Sequence, residues 1–277
     1  MTPLDLNRIA AAFVETSPLN CVSAEKALRP ELAGMQMLEP PILGFASADD
    51  EYLLSLQDNP QANLKMDPPS FWLEGAKTVI SFFLPFPEQV KRSNSLDRRQ
   101  PSQEYMHARV DGQTFLIALC QHLKEALEAE GYQAVIPAAD PRFWSNAATD
   151  KKGNGILFTS NWSERHAAYA AGLGTFSLNK GLITQKGMAG RFGSIITNWE
   201  TTPTPRTYME LEEHCIRCGA CIVACPAQAI SWENGKDHAR CSAYLGEILA
   251  ANRPYYGCGK CQTAVPCESM APHKPVK

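Results

Sequence analysis

The chain has 277 residues, 44% of them hydrophobic and 20% charged, with a formal net charge of −3 and a pI near 6.1. That composition suits one large globular domain plus a small one, and the acidic balance argues against a nucleic-acid footprint. The N-terminal stretch MTPLDLNRIAAAF lacks the regions of a signal peptide, and no apolar run reaches the roughly 18–20 residues of a membrane span, so a cytoplasmic protein is expected.

The first helix is expected from Thr2, an N-cap followed by Pro3 and Asp5, with Leu6, Ile9, Ala10 and Phe13 on one face. Residues 30–70 are proline-rich and read as irregular. Lys77–Leu84 is β-branched and aromatic and stops at Pro85, the pattern of a buried strand. The densest basic run, Lys91–Arg99, is interrupted by Asp97 and reads as a solvated loop. A long helix is predicted over Tyr105–Glu130, where Phe115, Leu119, Leu123 and Leu127 recur every four residues before Gly131. A strand through Gln133–Ile136 follows. Ser163 reads as the cap of a helix closed by Gly172, and two strand-like runs, 181–184 and 192–199, suggest a hairpin across QKGMAGR. Strands mixed with helices give an α+β or α/β domain, and the proline-rich TTPTPRT reads as a linker. The expected domains are therefore 1–207 and 208–277.

Eight of the ten cysteines lie between residues 215 and 267, which points to metal rather than disulfides in a cytosolic chain. Cys215-x2-Cys218-x2-Cys221-x3-Cys225-Pro226 has the spacing of a bacterial ferredoxin, in which three cysteines hold one [4Fe–4S] cube and the fourth reaches a second. Gly219 permits close backbone approach. Zinc is the alternative, but its sites usually combine two separated cysteine pairs. The crossover rule assigns Cys215, Cys218, Cys221 and Cys267 to one cube and Cys225, Cys241, Cys258 and Cys261 to the other. The second array is irregular, with five residues between Cys261 and Cys267 and Pro266 before the last cysteine. Cys21 and Cys120 have no partner at metal spacing and read as small apolar residues.

Three stretches carry a family resemblance: DPPSFWLEGAKTVISFFLPF, then ERHAAYAAGLGTFSLNKGLIT with RFGSIIT, then the double cysteine array with lone Cys241 between its halves. Together they resemble the epoxyqueuosine reductases and, more distantly, the ferredoxin-bearing core of reductive dehalogenases, over about residues 65–267. The resemblance implies an N-terminal cobalamin-processing, nitroreductase-like α/β domain and a C-terminal ferredoxin-like domain with two clusters. It implies base-off cobalamin between them, with flavin as the alternative cofactor, and electrons from a donor such as ferredoxin or flavodoxin. Co(I) is a strong nucleophile and reductant, which explains low-potential clusters beside it.

Two departures matter. Counting back six residues from Glu164, where the family has its proposed acid aspartate, lands on Phe158. The chain also stops ten residues after Cys267, without the family's helical repeats. A small-molecule substrate or a corrinoid protein is therefore expected as partner, rather than tRNA or a membrane.

Arg165 and Lys180 lie in or beside the signature and could meet anionic groups of a corrinoid or substrate, or serve as structural charges. Gly172, Gly174 and Gly193 could admit a cofactor, although a helix C-cap also explains Gly172. Tyr105 and His107 stand where the family has a tyrosine-histidine pair at the start of the long helix. Tyr169 could donate a proton in place of the missing aspartate, or pack in the core. Trp144 and Trp162 flank DKKGNG, a loop that could close over a pocket. The functional expectation is a cobalamin-dependent iron–sulfur reductase. An electron-transfer protein that reduces a partner, or a scaffold that docks the clusters onto a complex, is the alternative.

Overall fold

The computed structural model describes residues 1–57, 65–149 and 156–273. Helix α1 (Pro3–Thr16) begins at Thr2, whose hydroxyl accepts from the Asp5 amide while the Asp5 carboxylate accepts from the Thr2 amide, a reciprocal capping box. Strand β1 (Ile42–Ser47) and the short helices α2 (Glu51–Leu54) and α3 (Pro69–Trp72) lie in the stretch expected to be irregular. Prolines there punctuate short elements rather than abolish them.

Strand β2 (Thr78–Pro85) is buried along its whole length. Helix α4 (Glu88–Leu96) replaces the solvated loop expected at Lys91–Arg99. Lys91 and Asn94 are buried, with the Lys91 ammonium donating to Ser269 at 2.8 Å and pairing with Glu88 at 3.2 Å. Polar composition had hidden a helix whose buried side chains are satisfied by the C-terminal segment. Helix α5 (Gln103–Ala129) is capped by Ser102 and ends before Gly131, which takes a positive φ of 87°. Strand β3 (Ala134–Val135), the hairpin strands β4 (Ser145–Thr149) and β5 (Ile156–Ser160), and helix α6 (Glu164–Ala170) follow. Strands β6 (Gly174–Phe176), β7 (Leu182–Thr184) and β8 (Gly190–Thr197) complete this part.

The main sheet has the order β1-β2-β8-β3, antiparallel throughout, with Phe82 opposite Gly193. β7 and β8 do not form the expected hairpin. β7 pairs with β6, the Thr184–Gly187 bridge closes a local turn, and β8 enters the sheet between β2 and β3. Residue alternation sends Ile80, Phe82 and Ile195 into a core with α1 and α5, whereas Val79 and Ile196 pack with Trp72, Trp162 and α6. Helices thus cover both faces of β2 and β8.

The TTPTPRT segment has no regular structure but is pinned. The Phe45 amide donates to the Thr204 hydroxyl at 3.0 Å, the Thr204 amide to the Phe45 carbonyl at 2.8 Å, and Arg206 pairs with Asp50 at 3.1 Å. Beyond it come α7 (Ala220–Ala224), the strand pair β9 (Ile230–Ser231) and β10 (Gly235–Lys236), and α8 (His238–Asn252). The DKKGNG loop (150–155) lies outside the described residues. No helix among the described residues is long and apolar enough to cross a membrane.

Leu119 is fully buried in the α5 core. Leu119→Ala is expected to cost about 2–5 kcal/mol, as cavity-forming substitutions do, read as a lower urea midpoint. An unchanged midpoint would contradict this packing.

Candidate metal centre and adjoining cavity

The cysteine-rich segment is held by side chains of the sheet domain that bond to its backbone. The Asn94 amide group donates to the Cys258 carbonyl at 3.0 Å and to Thr263 at 3.2 Å, while its oxygen accepts from the Ser102 amide at 3.1 Å. Buried Lys260 donates back to the Asn94 carbonyl. The Asn179 amide group donates to the Cys261 carbonyl at 2.6 Å, and the Met188 amide donates to the Cys267 carbonyl at 2.9 Å. Each cysteine loop of the second array is therefore fixed through its own backbone, and the Cys267 sulfur also meets the Met188 sulfur at 3.4 Å.

Glycine provides the close approach where these loops meet α5. Gly259 has a φ of 65°, and a Cβ there would sit 2.3 Å from the Tyr105 ring. Gly219, with a φ of 78°, starts α7 and lies under the Trp232 indole, 2.7 Å from where its Cβ would be.

The eight cysteines fall around two cavities. Cys215, Cys218, Cys221 and Cys267 line one; Cys225, Cys241, Cys258 and Cys261 line the other, together with Tyr105, Arg109 and Lys236. The electrostatics of Cys267 and Cys258 follow the same grouping, whereas Cys221 also feels Cys261 across the two sets. The Cys267 thiol is pushed up to about 12 by burial and by the charges of Cys221, Cys215 and Cys218. Cys258 is likewise pushed up to about 12 by burial, with Cys261 and Cys241 as its cysteine neighbours. The Ala229 amide donates to the Cys225 sulfur at 3.3 Å. Lys236 hydrogen-bonds Cys241 and, although burial opposes its charge, the charges of Cys261 and Cys241 help hold its pKa above the usual lysine value.

Thiols stabilised as thiolates by iron, amides directed at sulfur and a buried ammonium are what a cluster with cysteine ligands requires. Among the described residues no three His, Cys, Asp or Glu groups converge as a single ion would need. Zinc draws its sulfurs to about 2.3 Å from one point, whereas a cube spreads them to its corners.

The other sequence candidates are distributed unevenly. Tyr105 is buried at the second cavity, edge-on to Phe86, with its hydroxyl 3.5 Å from Gln262. His107 is fully buried with both ring nitrogens engaged: Nε2 accepts from the Leu28 amide at 3.1 Å, so Nδ1 donates to Asp111 at 2.7 Å. That corrects its reading as a cofactor ligand. Tyr169 sits among Tyr52, Phe176 and Tyr208, and its carbonyl accepts from the Tyr208 hydroxyl at 2.6 Å.

Arg165 donates to the Lys180 carbonyl, which places the exposed Lys180 beside the signature helix. The three glycines are filled by the protein itself rather than left open to a cofactor. A Cβ at Gly174 would lie 2.0 Å from the Ile183 carbonyl, at Gly193 2.6 Å from Phe82, and at Gly172 3.0 Å from Thr204. Trp162 is buried and its indole donates to Ser194 at 2.8 Å; the Trp144 amide donates to Asn161 at 2.9 Å. Phe158 lies on β5 opposite Ala147, and β5 runs beside α8, the helix that carries Cys241. Cys120 is buried in α5; Cys21 forms an isolated bridge with Gln36.

Sequence reasoning missed the most unusual group. Glu164 opens α6, Arg191 lies on β8, and each has an enclosed atom with no hydrogen-bond partner, Oε2 and Nε respectively. Both side chains are half-buried, each keeping some surface open to solvent. Burial pushes the Glu164 carboxyl up to about 7 against a hydrogen bond from Ser194 and the charge of Arg191. Burial and neighbouring Arg109 push Arg191 down to about 9. Only the Glu-Arg signature hinted at this cluster, since its members are far apart in sequence.

Together the fold and the cysteine sets define an iron–sulfur protein in which a mixed α+β domain carries a ferredoxin-like C-terminal region. Residues 211–231 match the family described as 4Fe-4S binding domain. An epoxyqueuosine reductase of Bacillus anthracis is 24% identical over 272 residues, covering 94% of this chain and 64% of the relative. A solved reductive dehalogenase whose structure "suggests a mechanism for B12-dependent dehalogenation" superposes with a TM-score of 0.53 at 15% identity, covering 81% of this chain and 29% of that one. The chain is thus similar to epoxyqueuosine reductases along most of its length and shares a fold with a reductive dehalogenase. It spans 64% of the length of the Bacillus relative.

One solved epoxyqueuosine reductase holds an epoxyqueuosine-modified tRNA-Tyr stem loop (TM-score 0.47, 18% identity, 82% of this chain and 61% of that one). The expected absence of a nucleic-acid partner has no support from the curated relatives.

Folded Glu164 keeps its proton to about pH 7, whereas an unperturbed carboxyl loses it near 4.5. Its contribution to stability is thus full below pH 4.5 and is lost as pH rises through 7. A protonated-carboxyl infrared band that disappears near pH 7 and is absent from Glu164→Gln is the expected signature. A band that titrates near pH 4.5 in the wild type would refute the burial argument.

Proposed function

We propose that this chain is an iron–sulfur reductase that passes low-potential electrons through two [4Fe–4S] clusters to a bound corrinoid and a small substrate. The observation that carries this reading is the division of eight cysteines into two fours around two cavities, the second opening beside Tyr105 and Arg109. Cys215, Cys218, Cys221 and Cys267 would hold the outer cluster, and Cys225, Cys241, Cys258 and Cys261 the one nearer the sheet domain. The relationship to epoxyqueuosine reductases and the fold shared with a B12-dependent dehalogenase support the corrinoid.

The residues present fit such a group: Glu164 and Arg191, which interact with each other, the latter also with Arg109 near the second cysteine set, each offer an atom that lacks a partner within the protein. Tyr105, Arg109, Arg165 and Arg191 would hold it. A bound corrinoid supplies a reducible cobalt that is nucleophilic in its lowest state. The chain's own contribution is charge and enclosure. Arg165 and Lys236 face the Cys261 thiolate and favour its anionic form. Tyr105 and the glycine loop shut water out from the same side. Glu164, pushed up to about 7 by burial, exchanges a proton at neutral pH.

A second reading, an electron-transfer protein that reduces a corrinoid partner protein, is favoured by one observation. Phe158 occupies the position of the family's proposed acid, and a benzyl side chain cannot donate a proton.

Anaerobic reconstitution is expected to give about eight irons per chain, from two four-iron cubes; about four would remove the second cluster. Cobalamin titrated into that protein should shift saturably from base-on to base-off spectra near one equivalent. No shift with both clusters intact would favour the partner-reducing reading. Turnover of an epoxyqueuosine-bearing stem loop would overturn the small-substrate assignment.

A further inference from the structure

The surroundings of the second cysteine set carry more positive charge than ion pairs within the protein neutralise. None of the ion pairs among the described residues involves Arg109, Arg165, Arg191, Lys180 or Lys236. This is unexpected in a chain of net charge −3. A guanidinium enclosed without a counter-charge is costly, so such a group normally faces an anion.

For two of the five cations the anion is evident. Arg165 and Lys236 both face Cys261, so the thiolates of the nearer cluster answer their charge. Arg191 is different, because the strongest charges around it are those of Arg109, Tyr105, Tyr256 and Glu164. Its Nε is enclosed and has no partner. Arg109 reaches the same place from α5, with its guanidinium carbon 4.8 Å from the centre of the Tyr256 ring, which fixes the direction of the fork. Glu164 forms no ion pair within 4.0 Å of either arginine, so the one nearby acid does not close the gap.

We propose that Arg109 and Arg191 form a recognition site for an oxyanion, a carboxylate or phosphate group on a small molecule held between β8, α5 and the cysteine-rich loop. Two guanidinium groups close enough to repel one another, brought from different elements, suit the paired oxygens of such a group, which a single ammonium would not. The site deepens the reading above, since it rests on a ligand binding beside the second cysteine set and names the chemistry of that ligand. The oxyanion has two possible sources: the phosphodiester of a corrinoid nucleotide loop or the substrate itself.

The test uses cluster-loaded protein titrated with 4-fluorobenzoate and with inorganic phosphate, each followed by ligand NMR line broadening. Both titrations are run without and with saturating cobalamin. Saturable broadening by either anion is expected. Its affinity should fall by about tenfold or more in Arg191→Gln and in Arg109→Gln, as loss of a charge-assisted contact does, and should recover in part in Arg191→Lys. Arg92→Gln, an exposed position on α4, should bind as the wild type.

Unchanged iron content and cluster absorbance in the variants show that they have folded. Binding lost once cobalamin is present assigns the oxyanion to the corrinoid; binding retained assigns it to the substrate. Absence of saturable binding, or wild-type affinity in a folded Arg191→Gln, overturns the site. Anion binding that persists in protein unable to shift the cobalamin spectrum would remove the corrinoid and leave the oxyanion site standing.

Discussion

Everything proposed for this protein depends on how the backbone of the second cysteine array is fastened to the sheet domain. Asn94, Asn179 and the Met188 amide take the carbonyls of Cys258, Cys261 and Cys267. Those bonds are buried or part-buried, where an unmade hydrogen bond is expensive. They fold the end of the segment back over its beginning, so Cys267 arrives beside Cys215, Cys218 and Cys221 while Cys258 and Cys261 meet Cys225 and Cys241. Five residues between Cys261 and Cys267, irregular as a ferredoxin spacing, span the distance between the two sets.

Charge is the second constraint. In the proposed two-cluster state two groups of four thiolates would concentrate negative charge, and the answering cations come from outside the cysteine motifs: Arg165 from α6 and Lys236 from β10. The same burial that sustains these contacts leaves Arg191 and Glu164 with unsatisfied atoms. Native proteins rarely keep such atoms without a use. Here they lie near Arg109 and Tyr105 at the edge of the second cysteine set, where the proposed ligand would bind.

Local rules made part of this legible in the sequence. α1 could be read from Thr2, Pro3 and Asp5, and α5 from its four-residue apolar spacing, because caps and periodicity are properties of neighbours. The cysteine spacing was legible for the same reason. The β7–β8 hairpin was misread because strand pairing is decided by distant partners: β2 and β3 claim β8, and β6 claims β7. His107 looked like a ligand until Leu28 and Asp111 occupied both of its nitrogens. Glycines 172, 174 and 193 suggested room for a cofactor, yet Thr204, Ile183 and Phe82 take that room. Arg109 and Arg191 could not be linked at all, being 82 residues apart on a helix and a strand.

The most direct measurement is an iron-edge anomalous difference map from crystals of the anaerobically reconstituted protein. The account predicts two separate four-iron peaks, with Cys267 bound to the same cube as Cys215, Cys218 and Cys221. A cube in which Cys267 shares iron with Cys258 and Cys261, or a single peak, would contradict it.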